Sequence, residues 1–442
     1  MKQSQRIERA VFLFCACLII IGVSYLYGVQ TVHKKLFPYP QLMSLKSTTL
    51  EILGRKANPL LELPISDTEA ITRTGVAEDI GQGLVLVVHA IPDTRDSRVG
   101  IIDRDGNTIH EWMPRWDEIW PPAEAEAFSK DVRPVPGDGM YLHGIDVLPD
   151  GSYVANYEHL GSFRMDVCGE VMWKKENLGH HAVYYDRDDD TIWLTTENKT
   201  PSTEPSMYNV RDWVLQQVSP GGEVLREISV IDILKNNGLI GLLYMASLHN
   251  ESVAVRGDTL HLNDVEIFPE GYDSTVFAPG DIMFSLRNIN AVFVVDPETL
   301  EIKFKSVGQV LRQHDPDFTP DGDITVFDNN NLQPTIGPDR GQSYILRIDT
   351  ETNEIETLAG DREENRFFTD IMGTHQVLPN GNILVNSSGQ GRVFEFSPEC
   401  DPLWRWSNLG TNGSNNRVYG VIGLPPEMDA AFFEEAVAAC PG

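Results

Sequence analysis

Positive charge is scarce in this chain. Its 35 Lys and Arg stand against 65 Asp and Glu, a formal net charge of −30. A surface of that sign repels phosphate backbones, which excludes nucleic acid as a partner. Cysteine is scarce as well: five in 442 residues cannot make a disulfide scaffold. Cys15 and Cys17 lie inside an apolar run, so at most one bridge is open to Cys168, Cys400 and Cys440, and the sequence does not choose the pair. There is no HxH or HExxH spacing, so no metal site and no cofactor is expected. With 41% hydrophobic and 23% charged residues the chain is globular, not disordered.

One apolar run is long. Ala10 to Val29 reads AVFLFCACLIIIGVSYLYGV, twenty residues without a charge, which as a helix reaches about 30 Å, enough to span a bilayer. Lys2, Arg6 and Arg9 precede it, His33, Lys34 and Lys35 follow it, and Tyr25 and Tyr27 suit the far interface. A cleaved signal would carry a shorter apolar core and a small-x-small site; Ala16-Cys17-Leu18 and Gly22-Val23-Ser24 match that poorly. Residues 1–35 are therefore read as a cytoplasmic tip and uncleaved signal anchor, with the soluble body periplasmic or extracellular. A cleaved signal is the alternative. Residues 36–83, with Pro38, Pro40, Pro59 and Pro64, read as a stalk with a helix near 43–55. Outside residues 1–35 the chain holds 30 basic and 64 acidic residues, so the acidity belongs to the body.

From about residue 84 short alternating strands and turns repeat. One unit is a hairpin that often ends in Trp: RVGIIDRDGNTIHEW (98–112), GSFRMDVCGEVMWKK (161–175), WVLQQVSPGGEVLREI (213–228), AVFVVDPETLEIKFK (291–305), YILRIDTETNEIETL (344–358) and RVFEFSPECDPLWRW (392–406). Period-2 alternation and Asp/Gly/Asn turns make each a hairpin. A second, His-led hairpin precedes most of them, starting at His143, His181, His261, His314 and His375. Two hairpins make four strands, one propeller blade. The expected fold is all-β: a six-bladed β-propeller over residues 84–424, its first blade shared by GLVLVVHA (83–90) and the C-terminal segment. A β-sandwich is the alternative. Residues 229–249 read as a helical insertion and 425–442 as a short C-terminal helical tail.

Five of the eleven histidines thus open inner strands, which places several imidazoles around one rim of the channel. A histidine there is suited to acid–base work or to nucleophilic catalysis beside groups that hold a departing anion. Its structural alternative is a hydrogen bond to the next blade, and His33, His89, His110, His159, His180 and His249 are read as structural or exposed.

LHLNDVEIF (260–268) with DIMFSLRNINAVFVVD (281–296), RQHDPDFTPDGDITVFDNN (312–330) and THQVLPNGNILVNSSGQGRVFEF (374–396) resemble arylsulfotransferases, the His-led strand running into Phe-Asp-Asn being the most specific. The resemblance covers about residues 84–410. It implies a propeller acting outside the cytoplasm that moves a sulfuryl group from an aryl sulfate to a phenolic acceptor through a sulfohistidine. By motif, His261 and His314 match two active-site histidines of the family, and Arg340 is the nearest match to its arginine. The family's nucleophilic histidine lies at the end of a late inner strand; the corresponding NSSGQGR (386–392) has none, and His375 is the closest replacement, so that either His375 is the nucleophile, His314 takes that role, or the covalent step is lost. The catalytic set implied is His375, His314, His261 and Arg340. His143, His181, Arg287 and Asn329 are the substrate-binding candidates, with Arg287 equally suited to a salt link between blades.

Two other readings stay open. One is a non-catalytic propeller binding glycans or a protein. The other is a hydrolase-like propeller holding Ca²⁺ through Asp264, Asp328, Asn329 and Asn330, although FDNN also suits an Asx turn. The sequence leaves the oligomeric state open.

Overall fold

The computed structural model describes residues 2–33, 65–91, 96–121, 123–128, 140–198, 210–245, 257–331, 341–411 and 413–441. The helix read at 43–55, the four prolines of the stalk, His249 and Arg340 lie outside the described residues.

Two units are distinguished, residues 1–59 and 60–442. The first contains a helix, Lys2–His33, whose stretch Val11–Thr31 is apolar and long enough to cross a membrane. The second is a six-bladed propeller in which every sheet is antiparallel. Blade 1 combines both ends of the chain: Val418–Gly423 is its inner strand, followed outward by Val85–Ala90, Ser97–Ile102 and Thr108–Trp112. This is the closure expected from GLVLVVHA. Blades 2 to 5 each take four consecutive strands, and the inner ones are Leu142–Val147, Val183–Asp186, Leu262–Ile267 and His314–Phe318. Blade 6 begins at Thr374–Val377 and gains a fifth, outermost strand, Ile71–Arg73, from the segment read as a stalk. Each inner strand packs on the next, around to blade 1.

The sequence builds the blades by local rules. The two middle strands of a blade are largely apolar on both faces, because each sheet is sandwiched between two others; Ile282–Leu286 and Ala291–Val295 are buried at every residue. Asp/Gly turns close the hairpins. At Gly322, φ is +84° and a Cβ would stand 2.6 Å from the Asp273 carbonyl, so only glycine fits. Neighbouring blades are also linked at their outer edges. The Trp112, Trp173 and Trp404 indole N–H groups donate to the backbone carbonyls of Asp166, Pro220 and Arg104, each in the outer turn of the next blade. Arg226, Gln309 and Arg362 make the equivalent bonds to Pro297, Asn353 and Glu399. Each blade thus donates at least once to its successor at the outer edge, a role Trp fills in three of the six blades.

Cys168, in the outer turn of blade 2, is disulfide-bonded to Cys440, with Cα atoms 5.6 Å apart. Cys400 is free and buried. The bridge ties down the tail after helix Ala430–Ala438, whose N-cap Asp429 accepts from the Phe432 N–H. The insertion of blade 3 holds helix Val230–Asn236, capped by Ser229, and a 3₁₀ turn, Ile240–Tyr244.

Candidate active site

Every inner strand begins at the same rim of the channel, and the strand after it returns there. The His-led starts therefore meet. The register slips beside His143 and Asn263 and between His314 and Asp317; such bulges re-aim side chains. His159, His181 and His261 hold φ of 57°, 51° and 60°, a strained region for residues with a Cβ, and such strain collects at functional sites.

His181 is the hub. Its ring centroid lies 3.7 Å from that of His143, 4.1 Å from His180, 5.0 Å from His261 and 5.5 Å from His314. Proton accounting fixes two tautomers. Asp258 accepts from the Trp213 indole at 3.1 Å and from His261 Nδ1, so His261 carries its proton on Nδ1. Its Nε2 must then accept the 2.9 Å bond from His181 Nε2–H, which leaves His181 Nδ1 as a lone pair. Separately, the Asn329 amide donates to the carbonyls of Thr369 and Met372 at 3.1 and 2.7 Å. Its Oδ1 therefore accepts the 2.6 Å bond from His314 Nδ1–H. His314 Nε2 is buried, without a hydrogen-bond partner, and bears the free lone pair.

Burial lowers the basicity of these rings. It carries His314 down to about 3, helped by the Arg287 cation, and holds His143, His180 and His181 well below the usual histidine range, with help from their histidine neighbours. At neutral pH they are uncharged. Glu158 lies among them, 3.4 Å from His180 Nε2 and 3.6 Å from His143 Nδ1; burial raises its carboxyl to about 7, against the pull of Arg287 and Arg211. Arg287 is lowered to about 10, by burial first, and so remains a cation at neutral pH. Its guanidinium bonds Asn288 Oδ1 at 3.4 Å, and no described carboxylate pairs with it.

A cavity of about 1090 Å³ runs from this rim down the channel, lined by His143, His181, His314 and His375 and, deeper, by Asp146, Asp264, Glu266, Asp315 and Asp317. Burial and mutual repulsion raise Asp264, Glu266 and Asp317 well above the usual carboxylate range, moderated by the part of each that faces the cavity. His375 belongs to this acidic belt. Its Nδ1 lies 3.1 Å from Asp315 and its Nε2 2.8 Å from Thr325 Oγ1, so both ring nitrogens are engaged.

The structure thus gathers His143, His181, His261 and His314, with Asn329 and Arg287 beside them. His375 opens into the same cavity among carboxylates, and Arg340 lies outside the described residues. Asp328 accepts from the backbone N–H groups of Leu311 and Asn330, the Asx geometry anticipated for FDNN. Sequence reasoning passed over Glu158 and Asp258 and read His159 and His180 as structural or exposed. A signal existed for three of them: Glu158-His159 ends the strand that returns to the rim, and His180 adjoins a strand-opening histidine.

A family model described as arylsulfotransferase (ASST) matches residues 142–408, more than half of the chain. The chain belongs to the arylsulfotransferase family. No curated protein matches it significantly. Among solved structures, a Bacteroides caccae protein of unknown function is 11% identical over 77% of this chain and 98% of its own, with a TM-score of 0.47. Kuenenia stuttgartiensis hydrazine synthase is 13% identical over 74% of this chain and 79% of its own, with a TM-score of 0.40. Virginiamycin B lyase from Staphylococcus aureus is 13% identical over 60% and 69%, with a TM-score of 0.34. At this distance none of them bears on the chemistry of this arylsulfotransferase-family rim.

Proposed function

We propose that this protein transfers a sulfuryl group from an aryl sulfate to a phenolic acceptor, with His314 as the nucleophile. The observation that carries this is the His314 ring itself: Nδ1–H held by Asn329, Nε2 unpaired, and the whole uncharged at neutral pH. In the first half, the Nε2 lone pair bonds to sulfur as the S–O(aryl) bond breaks, and the phenolate leaves with the electron pair. Charge spreads over the sulfuryl oxygens and the leaving oxygen, by analogy with phosphoryl transfer, and the Arg287 guanidinium is the cation nearby to offset it. In the second half an acceptor phenol oxygen bonds to sulfur, the S–N bond breaks, and His314 regains its lone pair. The acceptor proton has to leave. Glu158, with its acid raised to about 7 and in contact with His143 and His180, is suited to receive it. In this reading His375 positions Asp315 and the strand of blade 5 and does not attack sulfur; of the two histidines the sequence left open for that role, His314 takes it.

The Lys2–His33 helix then serves as a membrane anchor with the propeller outside the cytoplasm, and the Cys168–Cys440 bridge fits an oxidising compartment. Full-length protein mixed with an aryl sulfate should release phenol and yield a sulfated peptide containing His314. Release that persists in His314→Ala rejects this assignment. No release from any aryl sulfate favours the non-catalytic propeller.

A further inference from the structure

The rim holds more imidazole than sulfuryl transfer uses. His143, His180 and His181 each bring a ligand atom within 4.8 Å of the others, and Glu158, His159 and His180 form a second such group. The His180 side chain is wholly buried, yet none of the ring nitrogens of His180 and His143 makes a well-formed hydrogen bond; Glu158 stands 3.4 Å from His180 Nε2 and 3.6 Å from His143 Nδ1. Four buried ring nitrogens so poorly satisfied are costly unless something fills their lone pairs.

We propose that His143, His180 and His181, with Glu158 as a fourth ligand, bind a divalent transition-metal ion of the zinc–copper class. Three imidazoles and one carboxylate make a borderline donor set, suited to Zn²⁺ or Cu²⁺ and unlike the all-oxygen cage of Ca²⁺. The relay already described supplies the outer support. Asp258 fixes His261, His261 accepts from His181 Nε2–H, and His181 Nδ1 is left free to ligate, the arrangement by which a metal-bound histidine donates its second N–H. Ligand atoms around a tetrahedral ion stand about 3.4 Å apart, so the three nitrogens have to draw in by about an ångström. The ion has an entry path, since His143 and His181 line the cavity and the acidic belt of that cavity concentrates cations. The site goes beyond sulfuryl transfer and stands without it; while the ion is bound, Glu158 serves as its ligand and not as the proton acceptor of that reaction.

The test is direct binding to the full chain in detergent. After chelation and desalting, Zn²⁺ titrated by calorimetry should bind at one equivalent, and Co²⁺ should give a visible d–d band without thiolate charge transfer. His143→Ala with His180→Ala should weaken Zn²⁺ binding at least 100-fold, whereas His159→Gln, outside the three-histidine set, should change it less than threefold. Absence of one-equivalent binding in the wild-type chain overturns the proposal, as does equal binding by a folded double variant. If the double variant does not fold, the Co²⁺ spectrum of the wild-type chain decides: a band supports the site and none overturns it. Failure of aryl-sulfate turnover, with Zn²⁺ bound, would count against the sulfuryl reading alone.

Discussion

At the starts of the inner strands the channel is lined by uncharged imidazoles. Three to five residues further along the same strands it is lined by carboxylates: Asp146 after His143, Asp264 and Glu266 after His261, Asp317 after His314. Burial acts on both sets and works in opposite directions. It strips the proton from a base and keeps it on an acid, so each region moves toward neutrality from its own side. The rim ends with free lone pairs beside the cations of Arg287 and Arg211. The belt ends with clustered acids held together by His375, Thr325 and backbone N–H groups. The rim is built to meet an electrophile or a cation. In the proposed reaction the belt, where its acids are ionised, would hold a sulfate ester at the rim.

The sharpest way to break this comparison is to remove one histidine from each region. His314→Ala should lower aryl-sulfate cleavage at least 1000-fold, because the nucleophile itself is gone. Asn329→Ala frees the His314 tautomer and should cost roughly 100-fold in kcat with little change in KM. His375→Ala should do the reverse. It leaves Asp315 and Thr325 without their partner, costing about 3 kcal/mol of stability, and should reduce turnover by less than tenfold. Steady-state kinetics with thermal unfolding separates the two. Loss of chemistry in His375→Ala, with His314→Ala active, would exchange the roles assigned here.

The fold was readable because its signals are local and repeated. Alternation and Asp/Gly turns mark all six outer hairpins, and each His-led hairpin begins an inner pair as read. The closure of blade 1 was readable for the same reason, from an unpaired apolar strand at 83–90. The fifth strand of blade 6 was not: Ile71–Arg73 is three residues long, too short to show a period. At the site, the convergence of His143, His181, His261 and His314 follows from repeat position. His180 and Glu158 do not sit at that position, and their role depends on which rings lie beside them in space. The tautomer of His314 was equally out of reach, because it is set by Thr369 and Met372 carbonyls some forty residues away in sequence. The disulfide partner of Cys168 lay 272 residues away, with Cys400 an equal candidate on paper.

pH should pull the two regions apart. The rim histidines have folded values below their unfolded 6.5. Between the two values the unfolded chain binds more protons, so this stability is complete above about pH 6.5 and is lost as the pH falls. Each such imidazole costs about 2 kcal/mol at pH 5. Asp264, Glu266 and Asp317 have raised values. There the folded chain binds more protons, so stability is lost as the pH rises from about 4 through the folded values. Melting curves from pH 5 to pH 8 should therefore show an acid-side loss that shrinks in His143→Gln and an alkaline-side loss that shrinks in Asp264→Asn. An acid-side loss that survives removal of several rim imidazoles would place its origin elsewhere.

The smallest effect should come from the charge of the belt acting on the rim. Asp264→Asn with Asp317→Asn removes acids that line the cavity but touch no rim histidine in the described geometry. Relief of their mutual repulsion should raise the melting temperature at pH 8. At a pH above the raised values of these two acids, where they carry charge, an anionic aryl sulfate should then bind better: KM should fall two- to fivefold at low ionic strength, and the gain should fade as salt approaches 0.5 M, where charges more than a few ångströms apart are screened. kcat should stay within twofold, since the His314–Asn329 pair is untouched. A fall in kcat of tenfold or more would mean that the belt takes part in the chemistry, and the division between a reactive rim and an excluding belt would have to be redrawn.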